Sequence, residues 1–224
     1  MIPINDNIPT RTFPFLTVLL IGINVAVFLY EITLPPHLLK GFIYSFGLLP
    51  VDILALRLDK VITSMFIHGG FAHLFGNMLF LWIFGNNVED ALGKVKFIIF
   101  YLVSGLGAAV VQSIVSLTAG NPYLPMVGAS GAISGILAAY IKLYPHAKVI
   151  TFIPPFFFML FVLPAWFFIG YWFFIQVLFA MVTPPGVGGV AWYAHIGGFI
   201  TGWFLIDLMY KPKKIKVVHY STLR

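Results

Sequence analysis

The chain offers few groups able to make or break a covalent bond, and two of them occupy corresponding places. Ser130 lies between glycines in Gly128-Ala129-Ser130-Gly131, at the opening of one apolar segment of membrane length, and His195 opens another. A hydroxyl and an imidazole are the pair required for nucleophilic attack assisted by a general base. Polar side chains are costly in hydrocarbon and are retained there for a reason. Two more, His73 and Asn77, are spaced to share one face of a helix and can donate hydrogen bonds to a developing oxyanion.

Each group also has a purely structural reading. Gly131-x-x-x-Gly135, with Gly128 and Ser134, makes a small-residue face suited to helix packing, and Gly198-x-x-x-Gly202 makes a second one a turn below His195. A lone intramembrane histidine can serve packing or gating, and His73 with Asn77 can simply join helices. Two glycine faces, however, let two helices approach until Ser130 and His195 can hydrogen-bond. A metal site is disfavoured, because His68-Gly69-Gly70-Phe71-Ala72-His73 lacks the H-E-x-x-H pattern and no carboxylate lies on the outer side of span two. No strand precedes Gly128-Ala129-Ser130-Gly131, so the nucleophile elbow of soluble hydrolases does not apply. Asp207 lies ~18 Å down the helix from His195. The chemistry available is therefore that of a Ser130–His195 dyad with no acid.

The elements that must position these groups follow from composition. With 60% hydrophobic and 9% charged residues in 224, the chain is excluded from ordinary soluble domains and expected to be an all-α polytopic membrane protein of one domain, residues 1–224. The absence of cysteine removes disulfides, thiol nucleophiles and thiolate metal sites. Apolar segments at 13–30, 71–88, 95–117, 126–144, 164–182 and 192–209 are each long enough, at ~1.5 Å per residue, to cross a ~30 Å core. The first is read as a retained span, since no small-residue cleavage pattern follows it. Pro154, Pro155 and Pro164 break the run Val149–Val182, leaving Val149–Leu163 as an interfacial connector. Leu34–Lys60 is expected to hold amphipathic helical pieces in the outer interface.

Charge fixes the orientation. Six spans place Arg11, Lys94, Lys96, Lys142, Lys148, the Lys211–Lys216 cluster and Arg224 on one side, against Lys40, Arg57 and Lys60 on the other. By the positive-inside rule both termini are cytoplasmic, and the net charge of +6 needs no nucleic acid to explain it. Spans two, four and six then all run inward from the outer face, which brings Ser130, His195, His73 and Asn77 to one depth just below it.

The order Thr63-Ser64-Met65-Phe66-Ile67-His68-Gly69-Gly70, His73-x-x-x-Asn77, Gly85-x-x-x-Glu89, Gly128-Ala129-Ser130-Gly131 and Ala194-His195-x-x-Gly198-x-x-x-Gly202 resembles that of a bacterial rhomboid intramembrane serine protease, from about Ile2 to Met209. The resemblance implies a six-transmembrane-helix rhomboid-like bundle in the inner (plasma) membrane and no cofactor. Its substrates are single-span membrane proteins, cut near the outer face of the lipid bilayer. It implies Ser130 as nucleophile and His195 as base. His73, Asn77 and the Ser130 amide form the oxyanion hole, and Thr183–Tyr193, with Thr183, Gly186 and Gly189, forms a mobile cap. Two positions depart from the family pattern. Asp59-Lys60 replaces a Trp-Arg pair, and Ser134 stands where some members stack an aromatic on the histidine, so orientation of His195 is expected to fall to packing and neighbours such as Ser134. The rival function is a non-catalytic membrane-substrate chaperone or transporter of the same architecture.

Overall fold

The computed structural model describes residues 1–154, 159–184 and 189–211. An N-terminal strand β1 (Ile2–Asp6) precedes helix α1 (Phe15–Glu31). The following connection folds into three short helices, α2 (Pro36–Phe46), α3 (Pro50–Leu54) and α4 (Leu58–Ser64), as expected for Leu34–Lys60. Pro36 and Pro50 stand at the first positions of α2 and α3, where the missing N–H costs no hydrogen bond.

The second apolar segment is continuous but irregular. α5 (Phe71–Phe80) passes through a π-helical turn, Leu81–Gly85, into α6 (Asn86–Leu92). Gly93, at φ 74°, ends it in a conformation open to glycine and starts α7 (Lys94–Thr118). Then come α8 (Ser130–Leu143), strands β2 (Lys148–Phe152) and β3 (Leu160–Pro164), α9 (Ala165–Val182) and α10 (Trp192–Met209).

Two expectations about boundaries change. α8 begins at Ser130, so the serine is the first residue of its helix rather than a turn inside it. Residues 126–129 instead leave the helical path, with Gly128 at φ 118° and Met126 paired through its backbone to Leu48. The connector Val149–Leu163, expected to be interfacial, carries two strands among its described residues. β2 pairs antiparallel with β1 on one side and β3 on the other, with Val149 opposite both Asp6 and Leu163. Its backbone polar groups are thereby paired where they meet the apolar bundle.

The interior is built on helix approach through glycine. A methyl placed on Gly198 would lie 1.9 Å from the Gly131 carbonyl oxygen, and one on Gly202 would lie 2.4 Å from the Gly135 Cα. α8 and α10 therefore touch backbone to backbone along the two stripes read in the sequence. α7 closes the third side, where a methyl on Gly197 would lie 2.7 Å from Val111 and one on Gly107 would strike Thr201. Beside this contact Phe97, Phe100, Tyr101, Phe84 and Tyr140 are fully buried, and Phe84 meets Tyr140 edge-on at 4.9 Å.

The outside is also apolar. Trp166, Phe174, Met181, Phe204 and Leu208 project from α9 and α10 with no protein cover, an arrangement that suits lipid rather than water. α7 and α9 are each long and apolar enough to cross a bilayer, and α1 and α8 are shorter apolar helices. The molecule is a helical membrane bundle.

Carboxylates tie the near ends of the helices together. Glu89 in α6 accepts the backbone N–H groups of Leu16 and Thr17, at 3.0 and 2.8 Å, and the Thr17 hydroxyl at 2.8 Å. It caps the start of α1, where no side chain of α1 itself does so. Asp6 of β1 accepts hydrogen bonds from the Tyr140 hydroxyl and the Asn87 side chain, locking the sheet beneath α8 and α6.

Gly198→Val should be among the most damaging single changes. Its Cβ must displace backbone, not a side-chain end, so a loss of at least the ~1–3 kcal/mol typical of overpacking is expected. Unfolding in mixed detergent checks this, with Gly22→Val, which meets nothing within 4 Å, as the near-neutral control.

Candidate active site

Ser130 is presented by a loop that the first connection holds from outside. Leu48 and Met126 exchange backbone hydrogen bonds of 3.1 and 2.8 Å, and the Gly128 N–H donates to the Ser64 carbonyl at 2.8 Å. Gly128 is required twice. Its φ is positive, and any Cβ would sit 2.7 Å from the His73 ring and 3.6 Å from the Asn77 amide. The backbone before Ser130 thus lies directly against both side chains.

Helix α5 supplies those two on one face. The Gly69 N–H donates to His73 Nδ1 at 3.4 Å, leaving Nε2 to carry the proton on the Gly128 side. The Asn77 Nδ2 donates to His68 Nε2 at 3.0 Å, and its second N–H is free for another acceptor. His68, placed near the interface by the sequence, is in fact buried and orients Asn77. Behind it the Glu31 carboxylate accepts the His68 backbone N–H, 3.3 Å from each oxygen. This chain of support from α1 was not visible in the sequence, where Glu31 is one acid after an apolar span.

His195 sits in the first turn of α10, 8% exposed. Its Nδ1 lies 2.7 Å from Gln176 Oε1 of α9. Trp172, one turn earlier in α9, faces the ring at 5.8 Å, and Trp192 meets it edge-on at 6.2 Å. Ser134 does not orient His195, contrary to expectation. Its hydroxyl donates to the Ser130 carbonyl at 2.6 Å within α8, the back-bonding open to serine inside a helix. The Ala194 N–H donates to Gln112 of α7 at 3.2 Å, and the Tyr193 hydroxyl to the Ala180 carbonyl at 2.8 Å, fixing the start of α10 on two sides.

The structure brings the four sequence-predicted groups to one place. A cavity of about 700 Å³ is lined by Ser130, His195, His73 and Asn77, together with Gln112 and Trp172. Of the expected cap residues, Gly189 borders the cavity and Thr183 follows α9. Gly186 lies outside the described residues. Asp207 is remote and ion-paired with Lys142. Among the described residues no three histidines or carboxylates cluster as a metal site.

Gln176 was the residue missed. It is the only amide or charged side chain between Ala165 and Val182, and that isolation was its signal. The partner of His195 is a neutral amide and not an acid.

The cavity is mostly apolar in its lining, with the serine, the two histidines and the asparagine as polar groups on its wall, inside an apolar helix bundle. The chain belongs to the rhomboid family, whose Rhomboid domain model matches residues 56–212. It is 36% identical over 138 residues to Rhomboid protein 1, mitochondrial, of Saccharomyces cerevisiae, covering 61% of this chain and 38% of that one. To the human presenilin-associated rhomboid-like protein, mitochondrial, it is 28% identical over 211 residues, covering 89% and 51%. With RHOMBOID-like protein 6, mitochondrial, of Arabidopsis thaliana it shares 30% over 149 residues, 65% and 42% of the two. The chain thus spans about half or less of the length of these curated relatives.

His68 makes the site sensitive to acid. Burial, with a smaller contribution from His73, lowers its pKa from 6.5 to about 4, so the fold holds it neutral as an acceptor for Asn77. The unfolded chain takes up this proton near pH 6.5 and the folded protein only near 4. Stability from this group is therefore present above 6.5 and lost as pH falls through that window, by up to about tenfold in the folding equilibrium per pH unit. Unfolding midpoints of wild type and His68→Gln between pH 7.5 and about 4 check this, and the variant should show the shallower fall.

Proposed function

We propose that the protein is an intramembrane serine endopeptidase with six spans, in which Ser130 is the nucleophile and His195 the general base. The observation that carries this is the joint placement of Ser130 and His195 on one cavity wall. There the His195 Nδ1 lies 2.7 Å from Gln176 Oε1, and Nε2 is the nitrogen this reading assigns to the serine. The family membership supports the same chemistry.

The reaction follows from the donors and acceptors at hand. Ser130 Oγ attacks the scissile carbonyl while His195 Nε2 takes its proton. The resulting oxyanion accepts hydrogen bonds from His73 Nε2–H, the free Asn77 N–H and the Ser130 backbone amide. Collapse breaks the C–N bond, and the His195 proton passes to the departing amine. Water then attacks the acyl ester, giving its proton to His195, and the serine is restored. The dyad stands where α8 and α10 begin. Substrates are accordingly single-span membrane proteins that enter from the bilayer and are cut near that face. The Lys- and Arg-rich ends of the bundle, with both termini, lie on the opposite side. Gly189, Val190 and Ala191 border the cavity, and in this reading they belong to the cap that gates it.

Ser130→Ala and His195→Ala should each abolish cleavage of a single-span model substrate and labelling by a fluorophosphonate probe. The double variant should be no worse than either, because the pair acts as a unit. A non-catalytic carrier of the same architecture labels at no serine, so absence of Ser130-dependent labelling in the wild type decides for the carrier.

Asp207→Asn should leave the rate on folded protein within a few-fold, whereas amidating a true triad acid costs about four orders of magnitude. The same substrate assay checks it. Asn77→Ala, by contrast, should lower turnover by about 10²–10³ with little change in KM.

A further inference from the structure

We propose that Gln176 is a positioning residue for His195, so that helix α9 supplies through a neutral amide the orienting partner that other serine hydrolases draw from an acid. The proposal rests on the protease reading above.

The amide can face His195 in only one sense. Its Nε2 donates to the Trp172 carbonyl at 2.9 Å within α9, so Oε1 is the atom turned to His195, 2.7 Å from Nδ1. An oxygen there requires a proton on Nδ1, which leaves the Nε2 lone pair for the Ser130 hydroxyl. That tautomer is the one a general base needs. When a triad aspartate is replaced by asparagine, the wrong tautomer lowers turnover by about 10⁴. Here the amide nitrogen is already committed to a backbone carbonyl, so the inverted arrangement is closed off.

The same helix holds the plane of the ring. Trp172 lies on the same face of α9 as Gln176 and packs on the imidazole at 5.8 Å with 37° between planes. Gln176 is 4% exposed and His195 8%, so water does not compete freely for the contact. Among the described residues no second hydrogen bond to the imidazole is made: Ala194, Ile196, Gly198 and Phe199, beside it on α10, carry no hydrogen-bonding side chain, and the Ser134 hydroxyl is bonded to Ser130. A neutral partner orients the base without adding negative charge to stabilise the imidazolium. Position is gained and driving force is not.

The test compares Gln176→Leu, Gln176→Glu and the wild type in proteoliposomes, normalised to folded protein. Kinetics on a single-span substrate are read over pH 5 to 9, and the His195 tautomer by nitrogen-15 NMR of labelled protein. Gln176→Leu should lower kcat at least about tenfold with KM unchanged, out of the ~10²–10⁴ that general-base catalysis contributes, and should lose the single Nδ1–H tautomer. Gln176→Glu should keep its activity at high pH and move the acid limb of the kcat profile upward by about one unit, since a carboxylate beside Nδ1 favours the charged ring. An unchanged tautomer and kcat in Gln176→Leu, a fall explained by lost folded protein alone, or an unmoved limb in Gln176→Glu overturns the positioning role. A wild type that neither cleaves nor labels at Ser130 overturns the protease reading instead, and the tautomer measurement tells the two failures apart.

Discussion

Everything in the cavity depends on the contact between α8 and α10. Lipid offers apolar side chains no reason to prefer one another, so helices in a bilayer are held by close packing and by hydrogen bonds between them. Gly131 and Gly135 against Gly198 and Gly202 bring two backbones to a separation that no other residue permits. Ser130 and His195 stand at the mouth of that contact, one on each helix. The glycines fix their spacing, and α7 fixes the tilt by meeting Gly197 with Val111.

The remaining polar groups form a second layer whose purpose is to leave nothing near the cavity free to turn. Asn77 is held by His68, whose backbone is held by Glu31. His195 is bonded by Gln176 and flanked by two tryptophans. The loop before Ser130 is pinned by Leu48 and Ser64. Each support comes from an element distant in sequence, which is how a small bundle keeps reactive side chains in place among slippery apolar surfaces. For the Ser130–His195 dyad proposed above, such rigidity would matter more than for a triad, because there is one fewer group to correct a misplaced base.

Much of the helical frame could be read from the chain. Apolar run length anticipated helices, of which α7 and α9 are long and apolar enough to cross a bilayer, and the two small-x-x-x-small stripes marked the faces that touch. Residue type and spacing singled out Ser130, His195, His73 and Asn77, which border one cavity. What escaped was information carried by tertiary partners. The helix start at Ser130 depends on Gly128 taking a positive φ and on Met126 pairing with Leu48, far away in sequence. The strands in 148–164 were hidden because an apolar run shows no alternation when pairing is imposed by the N-terminus. Ser134 looked like an available hydroxyl, but its own helix supplied an acceptor one turn back. Gln176 needed no special spacing, only a neighbour in another span.

The capping of α1 by Glu89 has a meaning for how the molecule is made. The first apolar helix emerges with two opening amides and a threonine hydroxyl for which its own sequence provides no acceptor. Their partner is synthesised more than seventy residues later, in helix α6. Until that carboxylate arrives the first helix is an unfinished object, stable in lipid along its length but open at its start. The order of synthesis and the order of completion are therefore different, and α1 is finished by a helix made well after it.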